Sequence, residues 1–487
     1  MRRRAIIVVL LTALLCPSLA SATAPAASSK TLVWAPCSDA PKVQCTTIEL
    51  PVDYANPASS TFKLRIGRVP ASDPAHKKGV LLFPPGGPGA GIVSMFVANR
   101  AGNHVDDFRR WYDVVTFDPR GIGKSSPIRC SPQAVPKATP PSTVPPTQAQ
   151  FDAISAANAA FFKTCFALTG GLMSHLSAMD TAMDVERIRQ TLAPNAGLLA
   201  YGGSYGSAYG AAYLERYGSH VKALVLDGVV DHSVDLPTFM TRNVVAAQDE
   251  FDRLTRWCNA NASCALHGRD VGAAYDKAVA RAPALRTTVS QLLAAGSSPE
   301  YGWSFIARLL AQVNAGNMSE LKKIVKSMSL GETSADPQLR AGKSGLFSGV
   351  FCSDYGPQRD YASFQRQAIA ISRRAPRFAW KFWDSTPIAH ASAGVLDCAG
   401  WPLPASYPPH RLQVGLHRNV MVANPTHDPA TPLTAALSVW MQIPDARLLI
   451  ADVDGHQSLI LSQCAYRTQL RFFGEVKAPE SVTLCPK

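Results

Sequence analysis

Residues 202–206 read Gly-Gly-Ser-Tyr-Gly, so Ser204 stands between glycines two positions before it and two after it. The run 198–201 before the motif is apolar or nearly so, and 207–217 after it carries a helical pattern. Strand, tight turn and helix in that order hold a serine in a strained conformation with its hydroxyl exposed, the geometry of a nucleophile elbow. Gly and Ser also fill ordinary turns; the two flanks are what favour chemistry here. A serine hydroxyl is a weak nucleophile at neutral pH and needs a base, which itself needs an orienting group. His456 lies just past the apolar run 447–451, and Asp428 just past the run 419–423. If both runs are strands of one sheet with the run before Ser204, all three side chains meet at its carboxyl edge. His456 Nε2 then takes the serine proton, and Asp428 fixes the ring tautomer through Nδ1. His427 is the rival base, but it adjoins Asp428 and would point elsewhere. Asp227 is the rival acid, because it too ends an apolar run. Thr431 is placed to bond the Asp428 carboxylate or to cap the helix that follows.

A second loop faces the same edge. The continuous apolar run 79–83 leads into Pro84-Pro85-Gly86-Gly87-Pro88-Gly89-Ala90-Gly91. A glycine-rich loop after a buried strand brings backbone N–H groups close to a ligand, and beside an elbow it reads as half of an oxyanion hole. Gly87 is the expected donor on this side and the N–H of Tyr205 on the other. Gly123-Lys124-Ser125 invites a phosphate-loop reading, but that fingerprint needs glycine five residues before Gly123, where Asp118 stands. The segment 118–125 is therefore read as a structural turn, with Asp118 and Arg120 pinning loops.

These groups need a scaffold. Runs 46–52 and 63–69 read as an antiparallel pair, and 79–83, 113–117 and 222–226 as buried strands. Ser177 to Asp180 carries a capping-box pattern opening a helix to Leu192. Strands alternating with helices imply a mostly parallel sheet with helices on both faces. Residues 131–150, rich in Pro, Ser and Thr, read as an extended surface excursion. From 230 to 409 helical patterns dominate, at 243–257, 271–280, 304–313, 319–329 and 361–373, which reads as a helical cap inserted between sheet strands. The organisation expected is a signal peptide at 1–22, core at 23–229, cap at 230–409 and core again at 410–487.

The 487 residues are 47% hydrophobic and 17% charged, an ordinary globular balance. Three arginines followed by the apolar run 5–15 read as a secretory leader cleaved near residue 22, too short to span a bilayer. Cys16 does not read as a lipid attachment site, because Leu15 before it is too bulky. One of the 11 cysteines lies in that leader; the even remainder reads as a disulfide framework. Spacing alone does not decide connectivity; pairing in chain order is the simplest scheme: Cys37–Cys45, Cys130–Cys165, Cys258–Cys264, Cys352–Cys398 and Cys464–Cys485. No Cys-x-x-Cys pair or histidine cluster suggests zinc, and no cofactor is expected. The net charge of +13 is scattered, without a basic stripe interleaved with aromatics, which argues against nucleic-acid recognition. A secreted or periplasmic monomer without a membrane span is expected.

The order serine, acid, histidine along the chain is that of α/β-hydrolases, and the sequence resembles their tripeptidyl aminopeptidase branch, related to proline iminopeptidases. The resemblance rests on Gly86-Gly87-Pro88-Gly89, on 118–125, on 202–206, on Asp428-Pro429-Ala430-Thr431-Pro432 and on Gly455-His456. Cys258 with Cys264, Phe351-Cys352-Ser353-Asp354, Cys398 with Trp401-Pro402, and the terminal stretch from Cys464 to Cys485 also fit. Proline iminopeptidases carry histidine before Gly-Gly-Pro-Gly, whereas Pro85 stands here, which moves the reading away from strict proline iminopeptidase activity. The resemblance implies an α/β-hydrolase fold with a helical cap, and a secreted serine exopeptidase that frees short peptides from N-termini. Such an enzyme needs an anion for the substrate ammonium; Asp354 is the first candidate and Glu250 the second. A carboxylesterase acting on small esters or amides uses the same triad, so a peptide or a small ester is the expected partner. A non-catalytic scaffold is disfavoured by the presence of all these groups.

Overall fold

The computed structural model describes residues 32–88, 91, 93, 104–136, 145–295, 302–329, 334–383, 394–476 and 479–487. The expected leader and part of the glycine-rich loop, Gly89 included, lie outside these residues. Ten strands form one sheet in the order β1-β2-β3-β5-β4-β6-β7-β8-β9-β10. The first three are β1 (Ala35–Cys37), β2 (Ala40–Pro51) and β3 (Thr61–Val69). Next come β4 (Gly79–Leu82), β5 (Tyr112–Phe117), β6 (Leu198–Gly203) and β7 (Val221–Asp227). The last are β8 (Val420–His427), β9 (Arg447–Asp454) and β10 (Val482–Cys485). Pairings are antiparallel from β1 through β3 to β5 and parallel from β5 onward.

The central strands are apolar throughout because both sheet faces are covered. Successive side chains point to opposite faces, and the packing shows it. Leu198, Ala200, Leu224, Leu226, Val420 and Val422 join one core. Leu199, Tyr201, Ala223, Val225, Met421 and Ala423, one residue out of step, join the other. Helices of two turns or more are α1 (Gln148–Thr169), α2 (Ala178–Leu192) and α3 (Tyr205–Tyr217) before the cap. After it come α11 (Leu433–Trp440) and α12 (Gln463–Glu475). Val33–Lys487 forms one compact unit.

Between β7 and β8 the chain is helical: α4 (Leu236–Ala260), α5 (Val271–Arg281), α6 (Leu285–Ala295), α7 (Ser304–Asn314) and α8 (Ser319–Ser329). α9 (Pro337–Tyr355) and α10 (Tyr361–Arg374) complete it. α1, α6 and α9 have no counterpart among the helices expected from sequence, and α1 begins inside the stretch read as an excursion. Its start is a capping box, Thr147 Oγ1 accepting from the Gln150 N–H and the Gln150 side chain accepting from the Thr147 N–H. It is held by burial of Phe151, Phe161 and Phe162. β1 and β10 are also additions, short edge strands: β1 folds back on the adjacent β2, and β10 adds to β9 in parallel.

Five disulfides join the cysteines in chain order: Cys37–Cys45, Cys130–Cys165, Cys258–Cys264, Cys352–Cys398 and Cys464–Cys485. The fourth ties α9 to the segment returning to the core across a separation of 46 residues, a loop whose closure is worth about 4 kcal/mol in the chain-entropy picture. Arg120 and Asp118 do pin loops. The buried Arg120 guanidinium donates to both carboxylate oxygens of Asp184, 2.7 and 2.8 Å, and to the carbonyls of Val52 and His175. Asp118 accepts from the N–H groups of Val93 and Lys124. Among the described residues no helix is long and apolar enough to cross a membrane, and no three His, Cys, Asp or Glu side chains gather where a metal could bind.

Candidate active site

The parallel strands deliver four side chains to one edge. Ser204 follows β6, Asp227 ends β7, Asp428 follows β8 and His456 follows β9 by two residues. The carboxyl ends of the strands are where open α/β sheets bind ligands.

Ser204 has φ 56° and ψ −128°, the left-handed backbone that a side chain rarely adopts. The flanking glycines explain how it is tolerated. A Cβ on Gly202 would stand 2.4 Å from the Gly206 carbonyl oxygen, and one on Gly206 would stand 2.5 Å from that of Pro84. Strand, turn and helix are thus in backbone contact, and the strain on Ser204 is imposed from both sides. The Ser204 N–H donates to the Asp227 carbonyl at 2.9 Å, locking the elbow to the next strand. Gly86 lies against the elbow; a Cβ there would meet Ser204 Cβ at 2.9 Å. Gly87 beside it has φ 113°.

Asp428 and His456 meet. His456 Nδ1 lies 2.8 Å from Asp428 Oδ2, and Asp428 is buried. Its other oxygen accepts from the N–H groups of Ala430 and Thr431, both at 2.8 Å, and Thr431 Oγ1 donates to Oδ2 at 3.0 Å. Thr431 thus bonds the carboxylate, one of the two roles its spacing allowed. Burial opposes charge on the His456 ring, but the charge and hydrogen bond of Asp428, with the charge of Asp227, outweigh it and hold the ring above the usual histidine value. Nothing but the Gly228 backbone fits beneath the ring: a Cβ on Gly228 would be 3.0 Å from His456 Cε1. Gln457 lies over Gly203, with Nε2 2.8 Å from where a Cβ would be. No hydrogen bond joins Ser204 Oγ to His456, a bond that without substrate is often long and tightens only in the reacting complex. His427 faces Asp249 of the cap at 3.8 Å, away from Asp428.

Asp354 occupies a different place from the one expected. It is buried on α9, and both oxygens are taken. Oδ1 accepts from the Ala178 N–H at the start of α2 at 2.8 Å, and Oδ2 from the hydroxyl of Tyr205, the residue after Ser204. It offers no free anion to a substrate; it ties a cap helix to the elbow. Burial pushes its carboxyl up to about 8. A group that holds its proton more tightly folded than unfolded stabilises most at pH below its ordinary value of 3.8, and that stabilisation is lost as pH rises toward about 8. Asp354→Asn is therefore expected to flatten the fall of the denaturation midpoint between these pH values. Its effect on turnover should be the same for a free peptide and a small ester. Equal slopes in both proteins would contradict the assignment.

Glu250, on α4, is also buried but only half satisfied. Oε1 accepts from Trp303 Nε1 at 3.0 Å, while Oε2 has no hydrogen-bond partner. Arg253 Nε is 3.9 Å away, beyond hydrogen-bonding reach, because its guanidinium is turned to Asp454 at 2.6 Å. Burial and then the Asp454 charge raise the Glu250 carboxyl to about 8. The cap reaches the site itself, where the His456 N–H donates to the Ala294 carbonyl of α6 at 3.1 Å.

The family model described as "alpha/beta hydrolase fold" matches residues 79–462, and the chain belongs to that family. It is a hydrolase, and three of its relatives are named for different activities. Carboxylesterase B of Mycobacterium tuberculosis (strain ATCC 25618 / H37Rv) is 28% identical over 464 residues, 91% of this chain and 86% of that protein. The tripeptidyl aminopeptidase of Streptomyces lividans is 26% identical over 428 residues, 84% of this chain and 76% of that protein. The serine protease Hip1 of the same M. tuberculosis strain is 27% identical over 466 residues, 88% and 85% respectively.

Proposed function

We propose that this protein is an exported serine aminopeptidase that releases di- or tripeptides from free N-termini. The observation that carries the chemistry is the strained Ser204 on the same sheet edge as a hydrogen-bonded His456–Asp428 pair. Ser204 Oγ attacks the scissile carbonyl as His456 Nε2 takes its proton. The oxyanion is received by the N–H groups of Gly87 and Tyr205, the latter at the start of α3. The C–N bond breaks as His456 returns the proton to the departing amine, leaving an acyl group on Ser204. Water, activated by the same ring, then frees the peptide. Five disulfides support work in an oxidising compartment.

Glu250 is the ammonium anchor in this reading. An approaching ammonium would supply the partner that Oε2 lacks and draw the carboxyl back to its charged form. The names of the aminopeptidase and protease relatives support a peptide substrate. The carboxylesterase name, on a match over 91% of this chain, supports a second reading as a hydrolase of small esters.

Digestion of a peptide library, free and N-acetylated, by the wild type and by Glu250→Gln separates the two. An aminopeptidase is expected to release di- and tripeptides from free peptides only, and Glu250→Gln to raise KM for them while leaving a small ester untouched. Indifference to acetylation together with fast ester turnover would replace the peptidase reading by the esterase one.

A further inference from the structure

Asp227, the alternative acid in the sequence, is buried at the end of β7 and does not touch the His456 ring; its hydrogen bonds go elsewhere. Oδ1 accepts from the Ser458 N–H at 2.8 Å, and Oδ2 from the Leu459 N–H at 2.8 Å and the Ser458 hydroxyl at 2.9 Å. The Tyr201 hydroxyl, 3.0 Å away, and Gln469 Nε2, at 3.4 Å, complete the set. Ser458 and Leu459 open the helical turn that follows His456 and Gln457, and Gln457 itself is at φ 74°. The carbonyl of the same Asp227 accepts the Ser204 N–H. Its next residue, Gly228, is the one whose backbone lies under the imidazole.

We propose that Asp227 is a positioning residue that sets the distance between nucleophile and base: its main chain holds the Ser204 elbow, and its carboxylate holds the loop carrying His456. A carboxylate surrounded by donors is a rigid clamp, because each oxygen accepts along fixed directions and burial makes a lost bond costly. Burial raises the Asp227 carboxyl against the donors that favour its charge; in its ionised form it adds a second negative charge near the ring beyond that of Asp428. Asp428 orients the ring directly; Asp227 acts through the backbone on either side.

This rests on the serine–histidine reading above, and the test separates the two. Wild-type protein is first labelled with a fluorophosphonate; failure of Ser204 to label would sink the parent reading and this proposal with it. In Asp227→Asn an amide N–H₂ replaces one acceptor and confronts donors. The expected result is a kcat loss of about 10- to 100-fold with KM within about threefold, since only the transition-state geometry is disturbed. The acid limb of the kcat/KM profile should move to lower pH, because a charge favouring imidazolium is gone. A rate loss with an unmoved acid limb would reduce Asp227 to a structural role, and wild-type kcat would overturn the proposal outright. A loss as large as that of Asp428→Asn would instead make Asp227 the triad acid. Should Asp227→Asn fail to fold, Ser458→Ala removes one donor and keeps the carboxylate. It should show the same kcat-selective loss at smaller size, about threefold, and wild-type kcat there would overturn the clamp.

Discussion

Ser204→Ala is expected to lower kcat by about 10⁴- to 10⁶-fold, the range seen when the nucleophile of a serine hydrolase is removed. The residual rate would be what the oxyanion donors and substrate binding supply on their own. Fluorophosphonate labelling should vanish in the same variant. Its thermal midpoint should stay close to wild type, because alanine at φ 56° is no more strained than the serine it replaces, and no hydrogen bond to His456 is lost. Labelling and ester turnover measured on one folded preparation check both halves. Retained labelling would move the nucleophile elsewhere.

Asp428→Asn is expected to cost about 10⁴-fold in kcat, because an amide beside His456 Nδ1 favours the wrong tautomer and cannot stabilise the imidazolium. The sign of the pH effect follows from the geometry. His456 must be neutral to act as base, and Asp428 raises the pH at which it becomes so. In the wild type, kcat/KM should therefore fall as pH drops through a value above the usual histidine 6.5. Without the aspartate charge that limb should move down. Profiles of kcat/KM against pH for the two proteins decide it; superimposable acid limbs would mean that some other carboxylate governs the ring. Because Asp428 also takes the N–H groups of Ala430 and Thr431, thermal denaturation should accompany the kinetics. A variant that has lost its fold answers nothing about the tautomer.

Much of this was legible in the chain because the residues involved answer to local rules. Glycines spaced around Ser204 are demanded by a turn so tight that a Cβ two residues away would fall 2.4 Å from a carbonyl oxygen. Short apolar runs such as 223–226 suit strands buried on both faces. Asp428 and His456 stood out because they follow such runs in the order that puts them on one edge. The helix α9 was hidden for the opposite reason. Gly342, Gly345 and Gly349 weaken any helical pattern in isolation. They are required because a Cβ on Gly342 would lie 1.8 Å from the Ile128 carbonyl oxygen, and one on Gly345 would lie 2.7 Å from Cys130 Sγ. The approach of a distant segment overrode local propensity.

The two cap carboxylates show the same boundary. From the sequence, Asp354 and Glu250 were both candidates for holding an ammonium in the expected cap. The folded chain gives both oxygens of Asp354 to Ala178 and Tyr205 and leaves Glu250 Oε2 without a hydrogen bond, which is why the proposal puts the ammonium at Glu250. Likewise only the folded chain puts the Asp428 carboxylate against the imidazole and the Asp227 carboxylate against the backbone beyond it. Residue type and strand order are written along the chain. Which lone pair is already occupied is decided, for Asp354 and for the carboxylate of Asp227, largely by residues more than a hundred positions away, and that is a property of the tertiary structure.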